Sequence, residues 1–122
     1  MDVDHDQVSV EDVDGVLVLK LRGQFLGGDE TEAVRNVLVD PKNEPHDAVL
    51  DMSGVTFANS SFLSSMLAMH STFVRQDRTL SVSNLQRTLQ NIFSMTRLDT
   101  TLNVFGTTEE ALHALNNASD ND

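Results

Sequence analysis

The feature that most constrains this chain is the stretch Ala48–Val74, AVLDMSGVTFANSSFLSSMLAMHSTFV, where the hydrophobic period changes from strand-like to helix-like. It opens with the apolar run Ala48-Val49-Leu50, closed by Asp51. A Ser53-Gly54 break follows, then Val55–Ala58 and the polar residues Asn59-Ser60-Ser61. Beyond them Phe62, Leu63, Met66, Leu67, Met69, Phe73 and Val74 recur at helical spacing. The stretch therefore reads as strand, turn and helix, with Asn and Ser at the helix start, where such residues cap best.

A hydroxyl at that position lies beside unpaired backbone N–H groups and the positive end of the helix dipole, which can partly accommodate an added phosphate. Ser60 and Ser61 are thus candidates for a phosphorylation switch. The plainer reading is that both are only caps.

At 122 residues the chain is long enough for one domain with one core. Its six aromatic residues are all Phe, so the core must rest on Leu, Val and Met. No apolar run approaches the roughly 18 residues of a membrane span. The start, MDVDHDQ, is unlike a signal peptide, and with no Cys there is neither a disulfide framework nor thiolate chemistry. These features lead us to expect a cytoplasmic protein without membrane insertion. The net charge of −11 argues against nucleic acid or an anionic membrane surface as the main partner and fits a basic protein partner or plain solubility better. Residues 1–6 and 118–122 read as disordered acidic ends around a domain at 7–117.

In chain order, Gln7–Asp12 reads as a strand, Asp14-Gly15 as a turn and Val16–Leu21 as a second strand, together a β-hairpin. Arg22–Gly28 reads as a loop by its three glycines. A helix follows from Asp29 or Glu30, with Ala33, Val34, Val37 and Leu38 on one face, and Asp40-Pro41 ends it. After the central unit come a short strand at Leu80–Val82 and a helix capped by Ser83-Asn84 that runs to about Met95. Leu98 is an anchor in a turn, and Thr101–Phe105 is a last strand. Thr107 or Thr108 caps a final helix, with Thr107 and Glu110 at capping-box spacing. The order ββαβαβαβα implies an α/β fold with a mixed sheet and helices packed on it.

No catalytic pattern stands out. Gly27-Gly28-Asp29-Glu30 resembles the active-site turn of diguanylate cyclases, but it continues with Thr31 where they have Phe, in a chain too short for that domain. The glycines at 23, 27 and 28 form neither a dinucleotide fingerprint nor a phosphate loop. His5, His46, His70 and His113 are scattered, without metal-ligand spacing. Ser60 lacks the G-x-S-x-G frame of a nucleophile elbow. We therefore expect no enzyme activity, no metal and no cofactor.

Val49–Leu63 (VLDMSGVTFANSSFL) resembles the signature of STAS domains, best known from bacterial anti-sigma factor antagonists. That signature is an apolar strand ending in Asp, a short link, and Asp-Ser-Ser/Thr-Gly-Leu opening a helix. Leu21–Phe25 is similar to the end of the family's second strand, Leu98 to a Leu after its third helix, and Val104–Leu112 to its last strand and helix. The similarity spans roughly Val8 to Leu115. Asn59 stands where the motif has Asp, and Phe62 where it has Gly.

The resemblance implies a single STAS-like domain that switches partners in transcription regulation. The unphosphorylated domain would bind an anti-sigma factor that is also a Ser/Thr kinase, through Asn59, Ser60, Ser61, Phe62 and Leu63. Phosphorylation of Ser60, with Ser61 the second choice, would release it, and a Ser/Thr phosphatase would reset the switch. An exposed Phe62 would be a docking anchor; alternatively it packs inward or obstructs the kinase. The loop Gln24–Thr31 is expected beside this surface. The other reading is a phosphorylation-independent STAS scaffold or a small subunit of a transport or signalling complex.

Overall fold

Two residues set how the chain begins. In a computed structural model, which describes residues 6–40 and 44–120 with side chains to residue 116, strand β1 (Val8–Val13) pairs antiparallel with β2 (Val16–Phe25). Val13 lies opposite Val16, so the loop is the pair Asp14-Gly15 alone. Their φ values of 53° and 88° are the left-handed pair that a type I′ turn needs, and the Asp12 carboxylate accepts the Gly15 N–H at 2.9 Å.

β2 continues to Phe25, through residues expected to form a loop. Gly23 is a strand residue, because β2 has a longer partner than its own sequence suggests, while Gly27 and Gly28 remain in the loop after it. Strand β3 (Ala48–Ala58) is unbroken over 11 residues and runs parallel to β2. Its Ser53-Gly54 segment, expected as a turn, is a β-bulge. Lys20 pairs with Asp51 but Arg22 with Gly54, so β3 carries one extra residue there, and a second register shift follows at Gly23/Gln24. The bulges keep Val55 and Ala58 on the same core face as Leu50 and Met52.

β4 (Leu80–Ser83) and β5 (Asn103–Phe105) add in parallel, giving the strand order β1-β2-β3-β4-β5. Strands that add one after another by crossovers of one hand leave the crossover helices on one face. That face carries α1 (Asp29–Leu38), α2 (Ser60–Arg75) and α3 (Arg87–Met95). Val34, Val37, Met66, Met69, Phe73, Leu89 and Phe93 from these helices pack on Leu19, Leu21, Leu50, Met52, Leu80 and Val82 of the sheet. A one-turn helix, α4 (Leu98–Thr101), precedes β5, and the last helix, α5 (Thr108–Asp120), covers the opposite face through Ala111 and Leu115 on Val16, Val18 and Val49. Sandwiched between both layers, Val16–Leu19 is buried at every position, which is why it reads as a continuous apolar run. The architecture is the expected mixed sheet with helices, in the order ββαβαβααβα.

Three local expectations change. Leu67 and Val74 share the helical spacing of the apolar stripe of α2 but are 36% and 59% exposed; Phe62, Met66, Met69 and Phe73 are its buried residues, with Leu63 partly buried against the core. Ser83 and Asn84 do not cap α3. Ser83 ends β4, and Asn84, at φ 58°, turns its amide to the buried Asp51 carboxylate at 3.1 Å and to the Thr108 hydroxyl at 3.2 Å. Leu98, the expected anchor, is buried and opens α4 after the left-handed Arg97. At α5 the Thr107 hydroxyl accepts the Glu110 N–H at 3.1 Å, one arm of the expected box. Residues 1–5 and 121–122 of the acidic ends lie outside the described residues, as does Pro41. Among the described residues no helix is long and apolar enough to cross a membrane.

Candidate functional site

The start of α2 is built by one residue. Asn59 leaves β3 in an extended conformation (φ −96°, ψ 179°), and its Oδ1 accepts the Phe62 N–H at 3.0 Å. Its Nδ2 donates to the Leu26 carbonyl at 3.0 Å, and its backbone N–H to the Phe25 carbonyl at 3.1 Å. The cap is therefore Asn59, not Ser60 or Ser61. An amide serves here because it accepts and donates at once; a carboxylate in its place would cap but could not bind the Leu26 carbonyl. Ser60 and Ser61 become the first two helical residues, both exposed, with their amides at the open end of the helix.

Phe62 is turned inward and is 0% exposed. Its ring lies 4.9 Å from that of Phe25, tilted by 49°, a favourable aromatic geometry. The docking-anchor expectation is corrected accordingly: Phe62 supports the surface from beneath and offers it no contact. Leu63 is half-buried and packs against the core cluster. Of the residues expected at the partner surface, Asn59, Ser60, Ser61 and Leu63 reach solvent.

The loop between β2 and α1 lies against this start, as expected for Gln24–Thr31. Gly27 has φ +84°, and a Cβ there would stand only 2.6 Å from Ser61 Cβ, so no other residue fits without movement. Glu30 and Thr31 hold the loop in place. Glu30 Oε1 accepts the N–H groups of Leu26 and of Gly28, the latter at 3.1 Å, and Thr31 Oγ1 accepts the Gly27 N–H at 3.1 Å. Glu30 and Thr31 are both buried. Burial pushes the Glu30 carboxyl up, but the amides of Leu26, Glu30 and Gly28 and the Thr31 hydroxyl outweigh it and hold it below its ordinary 4.5. The sequence placed both residues at the end of the loop expected beside this surface but assigned neither a part in holding it; an acidic pair at a helix start is explained by the helix dipole alone.

The electrostatics around the serines are one-sided. The first turn of α1 carries Asp29, Glu30 and Glu32, and the first turn of α2 carries no acidic residue. A dianion on either serine would thus sit at the N-terminal dipole of α2, with the loop that leads into the acidic first turn of α1 resting against Ser61. Among the described residues no group of three or more His, Asp or Glu could hold a metal ion. His70 is half-buried on α2 with its Nδ1 turned into the protein, and His46 packs its ring on Phe73 with centroids 5.6 Å apart.

This geometry, an N-terminal hairpin, a mixed five-stranded sheet and a serine pair opening the helix after a bulged central strand, agrees with the sequence profile of the STAS domain, which matches residues 7–111. The chain belongs to the STAS domain family. It is similar to a Thermotoga maritima protein assigned as an anti-sigma factor antagonist, with 17% identity and a TM-score of 0.77 over 89% of this chain and 94% of that one. An anti-sigma factor antagonist of Mycobacterium paratuberculosis shares 26% identity, with a TM-score of 0.72 over 88% of this chain and 91% of the other. The Bacillus cell fate determinant SpoIIAA in its phosphorylated form shares 17% identity, with a TM-score of 0.67 over 88% and 98%. None of the curated proteins matches the sequence.

Proposed function

We propose that this STAS domain is an anti-sigma factor antagonist that works by partner switching in the cytoplasm. The observation that carries the reading is the exposed serine pair at a rigidly capped helix start, seated on a second loop. In its unphosphorylated state the domain binds an anti-sigma factor kinase through Asn59, Ser60, Ser61 and Leu63 together with the loop at 26–28. Serine hydroxyls and an amide form a neutral patch, and an uncharged patch is what the centre of a protein interface requires. The bound kinase then transfers the γ-phosphoryl group of ATP. A bond forms between Ser60 Oγ and phosphorus, the bond to the ADP oxygen breaks, and the hydroxyl proton passes to a base on the kinase. The product carries about −1.5 to −2 charge where the interface was neutral. Binding would have to strip that charge of its water without supplying a counter-charge from this chain's side of the interface, and that cost drives the partners apart. A Ser/Thr phosphatase restores the hydroxyl. Similarity to antagonists, one of them in a phosphorylated form, supports this reading.

The test is a pull-down of anti-sigma-type kinases from the host with the purified chain, followed by incubation with ATP and mass spectrometry. Ser60→Ala and Ser61→Ala are run beside the unaltered chain. Phosphate on Ser60 that abolishes binding is the expected result, with Ser60→Ala binding permanently. Stable binding without phosphate transfer would replace partner switching by a constitutive scaffold, and recovery of no such kinase would remove the anti-sigma role.

A further inference from the structure

Three successive amides, those of Leu26, Gly27 and Gly28, converge at the start of α1. Two of them donate to Glu30 Oε1 and the third to Thr31 Oγ1, whose hydroxyl donates onward to Glu30 Oε1 at 3.3 Å. Consecutive amides turned to one point make an anion-binding concavity. Here the chain's own carboxylate fills it, in a buried setting. The other side of the same loop rests on Ser61, whose Cβ and Oγ lie 2.6 Å and 3.5 Å from where a Gly27 Cβ would stand. Ser61, not Ser60, is the serine in that contact.

We propose that Glu30 is a positioning residue for the partner surface: its carboxylate binds the Leu26–Gly28 amides and seats the loop on Ser61, and a phosphoryl group on Ser61 releases the loop by repelling that carboxylate. A phosphoryl group brings nearly two negative charges and three acceptor oxygens to within one glycine of a buried anion. Like charges that close disfavour each other, the more so where one of them is shielded from water, as the Glu30 carboxylate is. The amides and the Thr31 hydroxyl that hold the carboxylate favour its charged form and so oppose its neutralisation by a proton. The movable part is the loop. Through the bond from Asn59 Nδ2 to the Leu26 carbonyl, its displacement also reaches the cap of α2. The serines then differ in kind. Charge on Ser60 acts on the partner directly, whereas charge on Ser61 remodels the surface the partner reads. The biological use of this displacement rests on the partner-switching reading; the displacement itself is a property of the chain alone.

The experiment uses the full chain with phosphoserine installed during translation at position 61 or at position 60, with and without Glu30→Gln. Hydrogen exchange of the Leu26 and Gly28 amides is followed by NMR. Phosphoserine at 61 should speed both amides at least about tenfold and phosphoserine at 60 by less than about threefold, as local opening is read by exchange. In the Glu30→Gln background the carboxylate charge is gone, so phosphoserine at 61 should add less than about twofold, a non-additivity that a merely structural role would not produce. Should Glu30→Gln fold poorly, a carbon-13 NMR titration of the Glu30 carboxylate replaces it: phosphoserine at 61 should raise its pKa, because a nearby dianion disfavours the charged form, phosphoserine at 60 should not, and an unmoved titration with phosphoserine at 61 overturns the proposal. Amides that stay protected with phosphoserine at 61, or that speed up equally with and without the Glu30 charge, overturn the proposal. Neither outcome touches partner switching by direct repulsion, and a chain that recovers no kinase can still be tested in this way.

Discussion

Phe62→Ala is the substitution that best separates a core residue from a docking residue at the start of α2. The side chain is 0% exposed and its ring lies 4.9 Å from that of Phe25, so truncation leaves a cavity beneath the serine pair. Phe→Ala in a core costs about 3–5 kcal/mol, a range that already contains the roughly 0.5–1.5 kcal/mol of the lost aromatic pair. Unfolding entropy of about 2.1 cal/mol/K per residue gives roughly 0.26 kcal/mol/K for 122 residues, so Tm should fall by about 12–20 °C. Thermal and urea unfolding followed by circular dichroism provide the assay. Leu67→Ala on the exposed side of the same helix serves as control and should cost less than about 1 kcal/mol. A loss below about 1 kcal/mol for Phe62→Ala would mean that the ring does not fill the core. In that case Phe62 would return to the surface as a candidate anchor, and the packing described for the start of α2 would be wrong.

Two further outcomes follow from the same site. Asn59→Ala removes both the acceptor for the Phe62 N–H and the donor to the Leu26 carbonyl; urea titration should give a loss of about 1–2 kcal/mol, and Asn59→Asp, which keeps the cap but cannot donate to that carbonyl, should recover only part of it. Glu30 has a folded-state pKa held below its unfolded value, so its contribution is fully present above about 4.5 and is lost as the pH falls through the lower folded value. Tm measured from pH 7 to 3 should therefore converge for the unaltered chain and Glu30→Gln at the acid end, and parallel curves would refute the assignment of that carboxylate.

Much of the architecture was legible in residue order. The Asp14-Gly15 pair announces a two-residue hairpin because few residues other than Gly, Asn and Asp tolerate positive φ. The helices of α1, α2 and α3 are written in periodic apolar positions such as Val34, Val37, Met66, Met69, Leu89 and Phe93, which are indeed buried. The serine pair was legible as well, since small polar residues between a strand and an apolar helix have few other uses. Where the reading failed, long-range pairing was the cause. Arg22–Phe25 and Ser53-Gly54 carry loop-like residues but become strand, because each segment supplies the hydrogen bonds of the other. Ser83 and Asn84 look like a cap but serve the buried Asp51 and Thr108, residues distant in sequence.

The sequence by itself therefore determined the family, the order of elements and the location of the serine pair, all of which rest on local periodicity and short-range chemistry. Tertiary structure alone decided that Asn59 caps α2, that Phe62 is core, that Ser61 rather than Ser60 bears on Gly27, and that Glu30 fills the amides of the neighbouring loop. Each of these depends on which way a side chain turns once β2 and β3 lie side by side, and spacing along one strand or helix carries no record of its partner's register.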